Sequence, residues 1–125
     1  MTDDGLTELA MRYFKALDAR DPDALAETLA EDCVVTIETH GIRYDGREAV
    51  RKLFAIRWEG PLRAVHHDFT HSPSAAKGRI ASQFTVTYSG PNAPEPKSNV
   101  NVFTMHSGTI QKIAVYMAGA NTIKT

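Results

Sequence analysis

The chain has 125 residues, 42% of them hydrophobic, with 14 basic and 15 acidic side chains and a net charge of −1. That length suits one domain over residues 1–125, the apolar content excludes a disordered chain, and the balanced charge argues against nucleic acid or an anionic membrane as partner. No apolar run approaches the ~20 residues of a membrane span, MTDDGLTEL lacks the basic and apolar regions of a signal peptide, and Cys33 has no second cysteine to pair with, so the cytoplasm is the expected compartment.

The first predicted element is a helix over residues 5–19, where Leu6, Leu9, Ala10, Tyr13, Phe14 and Leu17 share one face. Asp21-Pro22 restarts the chain as N-cap and first helical residue of a short second helix reaching about Ala30, with Leu25 and Leu29 inward. Cys33 to Thr39 is rich in β-branched residues and reads as a strand, interrupted by His40-Gly41. A third helix is predicted from Asp45-Gly46-Arg47-Glu48, with Asp45 as cap, Glu48 as the capping-box acid, and Ala49, Val50, Leu53 and Phe54 as its buried stripe. Gly60-Pro61 ends it. Strands are then predicted at 62–71, 78–88, 98–106 and 109–118, with turns at Ser72-Pro73-Ser74 and Ser107-Gly108 and a longer, proline-rich loop from Gly90 to Pro96.

This order, ααβαββββ, predicts an α+β domain. Four consecutive strands on short turns make an antiparallel meander, and the amphipathic helices need one of its faces.

Three blocks carry a family likeness. MRYFKALDARDPDALAETLAEDCVV resembles the opening of ketosteroid isomerases and SnoaL-like cyclases, YDGREAVRKLF resembles their third helix, and VFTMHSGTIQKIAVYM resembles their final hairpin. The blocks stand in family order over nearly the whole chain. The resemblance implies a nuclear-transport-factor-2-like fold: a cone-shaped, curved antiparallel sheet closed by three N-terminal helices, a cystatin-like α+β barrel around a pocket for a small hydrophobic molecule. The sheet face left after the helices dock needs covering if it carries the apolar set, so a homodimer through that outer face is expected, with no cofactor or metal.

In that family an oxyanion is held by a tyrosine and a protonated aspartate, opposite an aspartate base. The resemblance places the tyrosine at Tyr13 and the second donor at Asn101. The position of the base falls on Ile37, and the acid that SnoaL-like cyclases carry near the end of the last strand falls on Ala118. Both expected carboxylates are therefore replaced.

The remaining proton carriers are Glu38 and the histidines His40, His66, His67, His71 and His106. Glu38 adjoins Ile37 but turns to the opposite strand face. His66 and His67 are consecutive on a strand, so one faces inward, and the register decides which. His67 and His71 share a face in a regular strand, about 13 Å apart, too far to hold one metal together. His40 follows the first strand near the cavity mouth, and His106 sits at a hairpin tip. The candidate catalytic set is Tyr13, Asn101, His66 and His40; the candidate pocket is Ile37, Leu53, Trp58, Phe84, Val86, Tyr88 and Phe103. Two functions remain open: a cofactor-free isomerase, cyclase or dehydratase acting on a hydrophobic carbonyl compound, and a non-catalytic binding or accessory domain with the same pocket. For Tyr13 and Asn101 the structural alternative is a core hydroxyl and a core amide satisfied by backbone partners.

Overall fold

Thr2 opens the first helix. Its hydroxyl accepts the Gly5 N–H at 2.9 Å, and α1 (Asp3–Ala19) runs until Arg20 takes the left-handed conformation that ends it. Leu6, Leu9, Ala10, Tyr13, Phe14, Ala16 and Leu17 are its buried stripe, a face wide enough to seat a helix on a sheet. Asp21 caps α2 (Pro22–Thr28), accepting the Ala24 N–H at 3.0 Å, with Pro22 at the first helical turn. In a computed structural model that describes residues 1–124, β1 (Leu29–Ile37) follows at once, four residues before the predicted start at Cys33.

Gly41, in the left-handed region with φ 64°, turns the chain into β2 (Ile42–Asp45), a short strand absent from the predicted order. The observed order is thus ααββαββββ. β2 explains why the predicted capping box does not form: Asp45 ends the strand and pairs with Arg43 Nε at 2.9 Å, so Gly46 stands at the N-cap of α3 (Arg47–Arg57) and Glu48 is exposed. Val50, Leu53 and Phe54 bury the helix; Ala49 lies outside.

The remaining strands are β3 (Arg63–Ser74), β4 (Arg79–Ser89), β5 (Lys97–His106) and β6 (Thr109–Tyr116). They form the predicted antiparallel meander within one curved, unclosed sheet of order β2-β1-β6-β5-β4-β3. One pair departs from the all-antiparallel expectation. β1 runs parallel to β6, so the sheet is mixed. Because β1 and β6 are far apart in sequence, hydrophobic patterning carries no signal of their relative direction.

Ser72-Pro73-Ser74 is not a turn. These residues stay on β3, opposite Ala81, Ile80 and Arg79, and the reversal comes at Ala75–Lys77. Gly78 closes it with φ 62°, where a Cβ would come within 2.9 Å of the Met105 carbonyl oxygen; glycine is required there by both backbone and space.

α1 packs on β3 and β4, α2 on β1 and β6, and α3 on β1 and β2. They cover the sheet face that carries Ile80, Ser82, Phe84, Val86 and Tyr88 of β4 and Asn99, Asn101, Phe103 and Met105 of β5, all buried. Cys33 lies in this core with no exposure, and burial pushes its thiol pKa up to about 11. No helix is long and apolar enough to cross a membrane.

Candidate functional site

The core is not solid. A cavity of about 50 Å³ lies between α1, the end of α3 and the inner sheet face, room for a few waters or a short ligand. Tyr13, Asn99, Asn101 and His66 supply its polar surface, and Leu17, Phe84, Val86 and Val115 its apolar walls. Half-buried Arg20, Arg57, Trp58 and Leu62 form its rim, with Tyr88 and the C-terminal residues Thr122 and Ile123. Tyr88 Oη lies 2.7 Å from Thr122 Oγ1, so the C-terminal segment is tied across the cavity edge.

Tyr13 is 1% exposed, gripped edge-on by Phe14 and Phe103 with ring centroids 5.5 Å apart. Among the described residues its hydroxyl has no hydrogen-bond partner. Burial raises its pKa, which keeps the hydroxyl protonated and a donor. Asn101 Oδ1 is the one fully buried side-chain polar atom without a partner among the described residues. Its neighbour Asn99 differs: Asn99 Oδ1 accepts the Ala118 N–H at 3.0 Å and serves to hold the chain after β6. Neither Tyr13 nor Asn101 therefore finds the backbone partner that a purely structural role would provide.

The histidine register is settled by a bulge. Asp68, with φ 55°, interrupts the β3–β4 pairing between His67 and Thr70. The extra residue shifts alternation, so His66, Phe69 and His71 come to one face while His67 goes to the other. His66 opposes Val86 and lines the cavity. His67 instead meets Thr87 Oγ1 at 2.7 Å on the outer face. His71 shares its face with His66 rather than with His67, correcting the expectation from a regular strand. It binds Ser82 Oγ at 2.8 Å, stacks on Phe69, and is not part of the cavity lining.

His66 also has a partner that the sequence did not reveal. Asp18 Oδ1 lies 2.6 Å from His66 Nδ1, and the same carboxylate accepts the His66 backbone N–H at 3.2 Å. Asp18 lies outside the cavity, in the wall of an open groove of about 560 Å³ between α1 and β3. His66 borders both spaces. With Nδ1 committed to Asp18, Nε2 is the nitrogen left for whatever the cavity holds; it has no partner among the described residues. Carboxylate and imidazole thus form the orienting pair found in acid–base sites. The only sequence signal for Asp18 was its place one turn after Phe14 at the edge of the apolar stripe.

Other candidates fall elsewhere. His40 is exposed, its Nδ1 2.9 Å from Thr39 Oγ1, and does not line the cavity because the chain turns outward at Glu38–His40. Glu38 is exposed on the same turn. Ile37, Leu53 and Phe103 are buried in the core without reaching the cavity surface, whereas Trp58, Phe84, Val86 and Tyr88 do reach it. His106 is exposed at its hairpin. Among the described residues, no cluster of three or more His, Cys, Asp or Glu side chains is placed to hold a metal ion.

The geometry defines a class: a cone-shaped α+β domain whose curved sheet and helices enclose a mostly apolar cavity with a few convergent polar groups. A model of the SnoaL-like domain family matches residues 10–113, and the chain belongs to that family. No curated protein matches it in sequence. Among solved structures it is similar to a candidate polyketide cyclase of Pseudomonas putida, with 25% identity, TM-score 0.77 and coverage of 95% of this chain and 93% of that one. It is also similar to a candidate ketosteroid isomerase of Kribbella flavida, with 17% identity, TM-score 0.72 and coverage of 95% and 82%. An LEH-like epoxide hydrolase of M. tuberculosis aligns with 16% identity, TM-score 0.75 and coverage of 93% and 84%. The last two likenesses bear on fold alone.

Proposed function

We propose that this domain is a cofactor-free proton-transfer catalyst acting on a small hydrophobic carbonyl compound, in the manner of an isomerase, cyclase or dehydratase. The observation that carries the reading is His66: its ring, oriented by Asp18 at 2.6 Å, borders the same cavity as the partnerless Tyr13 hydroxyl and Asn101 amide. His66 takes the place of the missing carboxylates as the group that removes and returns a proton. Tyr13 donates to the developing oxyanion, and Asn101 turns its amide to do the same. Apolar walls of Leu17, Phe84, Val86 and Val115 exclude water and strengthen these bonds. The name of the polyketide cyclase neighbour accords with chemistry at carbonyl-activated carbon.

The test is deuterium exchange at the α-carbons of small ketones, butanone and cyclopentanone among them, followed by NMR in heavy water. The protein should accelerate exchange above buffer, and His66→Gln should return it to the buffer rate. Ketones that bind without any acceleration would instead establish the domain as a binding module with the same pocket.

A further inference from the structure

Positive charge at the cavity is not matched by negative charge. Among its lining residues there is no aspartate or glutamate, yet two guanidinium groups are present, from Arg20 and Arg57. Arg20 donates to two backbone carbonyls, Trp58 O at 2.8 Å and Leu62 O. Those bonds fix the chain between α3 and β3 but leave the charge uncompensated. The Arg57 side chain makes no hydrogen bond or ion pair among the described residues, although the residue is half-buried at the C-terminal end of α3. Burial disfavours its charge most; the Tyr88 phenol acts the other way, and nearby Arg20 adds to the effect of burial. The nearby carboxylate, Asp18, is already committed to His66 outside the cavity.

Holding a half-buried guanidinium beside a second one costs stability, which its place in the last turn of α3 offsets only in part. The planar fork of arginine matches a carboxylate with two parallel hydrogen bonds. We infer that Arg57, seconded by Arg20, is an anion-recognition site at the rim of the cavity, and that the ligand is a small hydrophobic compound bearing a carboxylate. The apolar walls take its carbon skeleton, and the rim takes its charge. Arg20, at the C-cap of α1, follows Tyr13 by about two helical turns, so the anionic end lies toward the end of α1 and the reacting end toward its middle. The second half of that statement rests on the proton-transfer reading; the anion site does not.

The experiment therefore uses ligands without a ketone. Binding of phenylacetate, octanoate and cyclohexanecarboxylate is measured by titration calorimetry against the amide of each acid, on the wild-type chain and on Arg57→Gln and Arg57→Lys. At least one acid should bind about tenfold or more tighter than its amide. Arg57→Gln should erase that preference, and Arg57→Lys should recover part of it. Melting of the free proteins provides a second reading: Arg57→Gln should melt no lower than wild type, since the charge is uncompensated until ligand arrives. Equal binding of acids and amides overturns the inference. So does an acid preference that survives Arg57→Gln, failure of every acid to bind at millimolar concentration, or a free Arg57→Gln protein that melts well below wild type. Loss of α-proton exchange in His66→Gln with the acid preference intact separates the two proposals.

Discussion

Asp18 holds His66 twice, through Nδ1 at 2.6 Å and through the backbone N–H at 3.2 Å. The second bond positions β3 against α1, and the first selects the tautomer. In the neutral ring, a carboxylate accepting from Nδ1–H selects the tautomer whose lone pair is on Nε2, the form a base requires. Asp18→Asn retains size and can still accept from the backbone, but its amide can donate to Nδ1 and stabilise the wrong tautomer. Turnover should then fall about a hundredfold or more, with KM nearly unchanged, because Asn does not enter the cavity. Equal losses in KM and kcat would mean that Asp18 only shapes the fold. The expected split is read from steady-state exchange rates across ketone concentration.

Tyr13 and Asn101 lead to a prediction with opposite signs for stability and function. A buried polar atom without a partner costs about 1–3 kcal/mol relative to a satisfied one. Asn101→Leu removes such an atom from beside Phe103 and should raise the melting temperature while weakening ligand binding. Tyr13→Phe keeps the ring between Phe14 and Phe103 and removes only the hydroxyl. It should change stability by no more than about 0.5 kcal/mol and lower affinity or turnover. If both substitutions destabilise the free protein and leave affinity unchanged, the two groups are structural and the oxyanion proposal fails. Thermal melts and affinity measured on the same preparations decide it.

The fold was legible because its signals are local. The apolar stripe from Leu6 to Leu17, the Asp21-Pro22 start and the Ser107-Gly108 hairpin each follow from neighbouring residues, and each is where the sequence indicated. What escaped depends on contacts between distant segments. β2 is only four residues long and lacks a strong pattern, and the parallel pairing of β1 with β6 leaves no mark in either strand. The site was half legible. Tyr13 and Asn101 came by resemblance. Choosing His66 over His67 needed a register, and the bulge at Asp68 that decides the face of His71 is made by a residue other than glycine, with nothing around it to announce a positive φ. Asp18 was passed over because its partner lies across the fold, on β3.

His71 gives the stability a dependence on pH. Its ring lies between Phe69 and Ser82, and burial lowers its pKa from the ordinary 6.5. In the unfolded chain the imidazole takes up a proton as pH falls below 6.5, while the folded protein resists it. Folding stability from this residue is therefore fully present above pH 6.5 and declines as pH falls, until the folded His71 also protonates. His71→Asn preserves a polar contact to Ser82 and removes the titration. Urea melts at successive pH values should show a shallower loss of stability for His71→Asn between pH 6.5 and the folded pKa. Parallel curves for the two proteins would exclude His71 as the source.

The outer sheet face bears on assembly. The helices cover one face of the sheet, and on the other Val65 of β3 and Tyr116 of β6 are 53% and 46% exposed, among the few large hydrophobic side chains left in solvent. They sit in the registers of Thr87 and Val100, at either side of the two central meander strands, and the surface between them carries Thr85, Thr87, Ser98 and Val100 together with Gln83 and His67. We propose that a second copy of the chain covers this face. Two-fold pairing then brings each Tyr116 against the partner copy's sheet, where a large ring with one polar tip suits a packed interface with a wet edge. Light scattering at micromolar concentration should give twice the mass of the 13.8 kDa chain. Tyr116→Glu places a charge on the face without touching the core or the cavity, so it should halve that mass while leaving the circular dichroism spectrum and α-proton exchange intact. A wild-type chain that scatters as a monomer removes the dimer. A dimer that Tyr116→Glu leaves unchanged moves the interface to another surface, the exposed edge formed by β3 being the next to test.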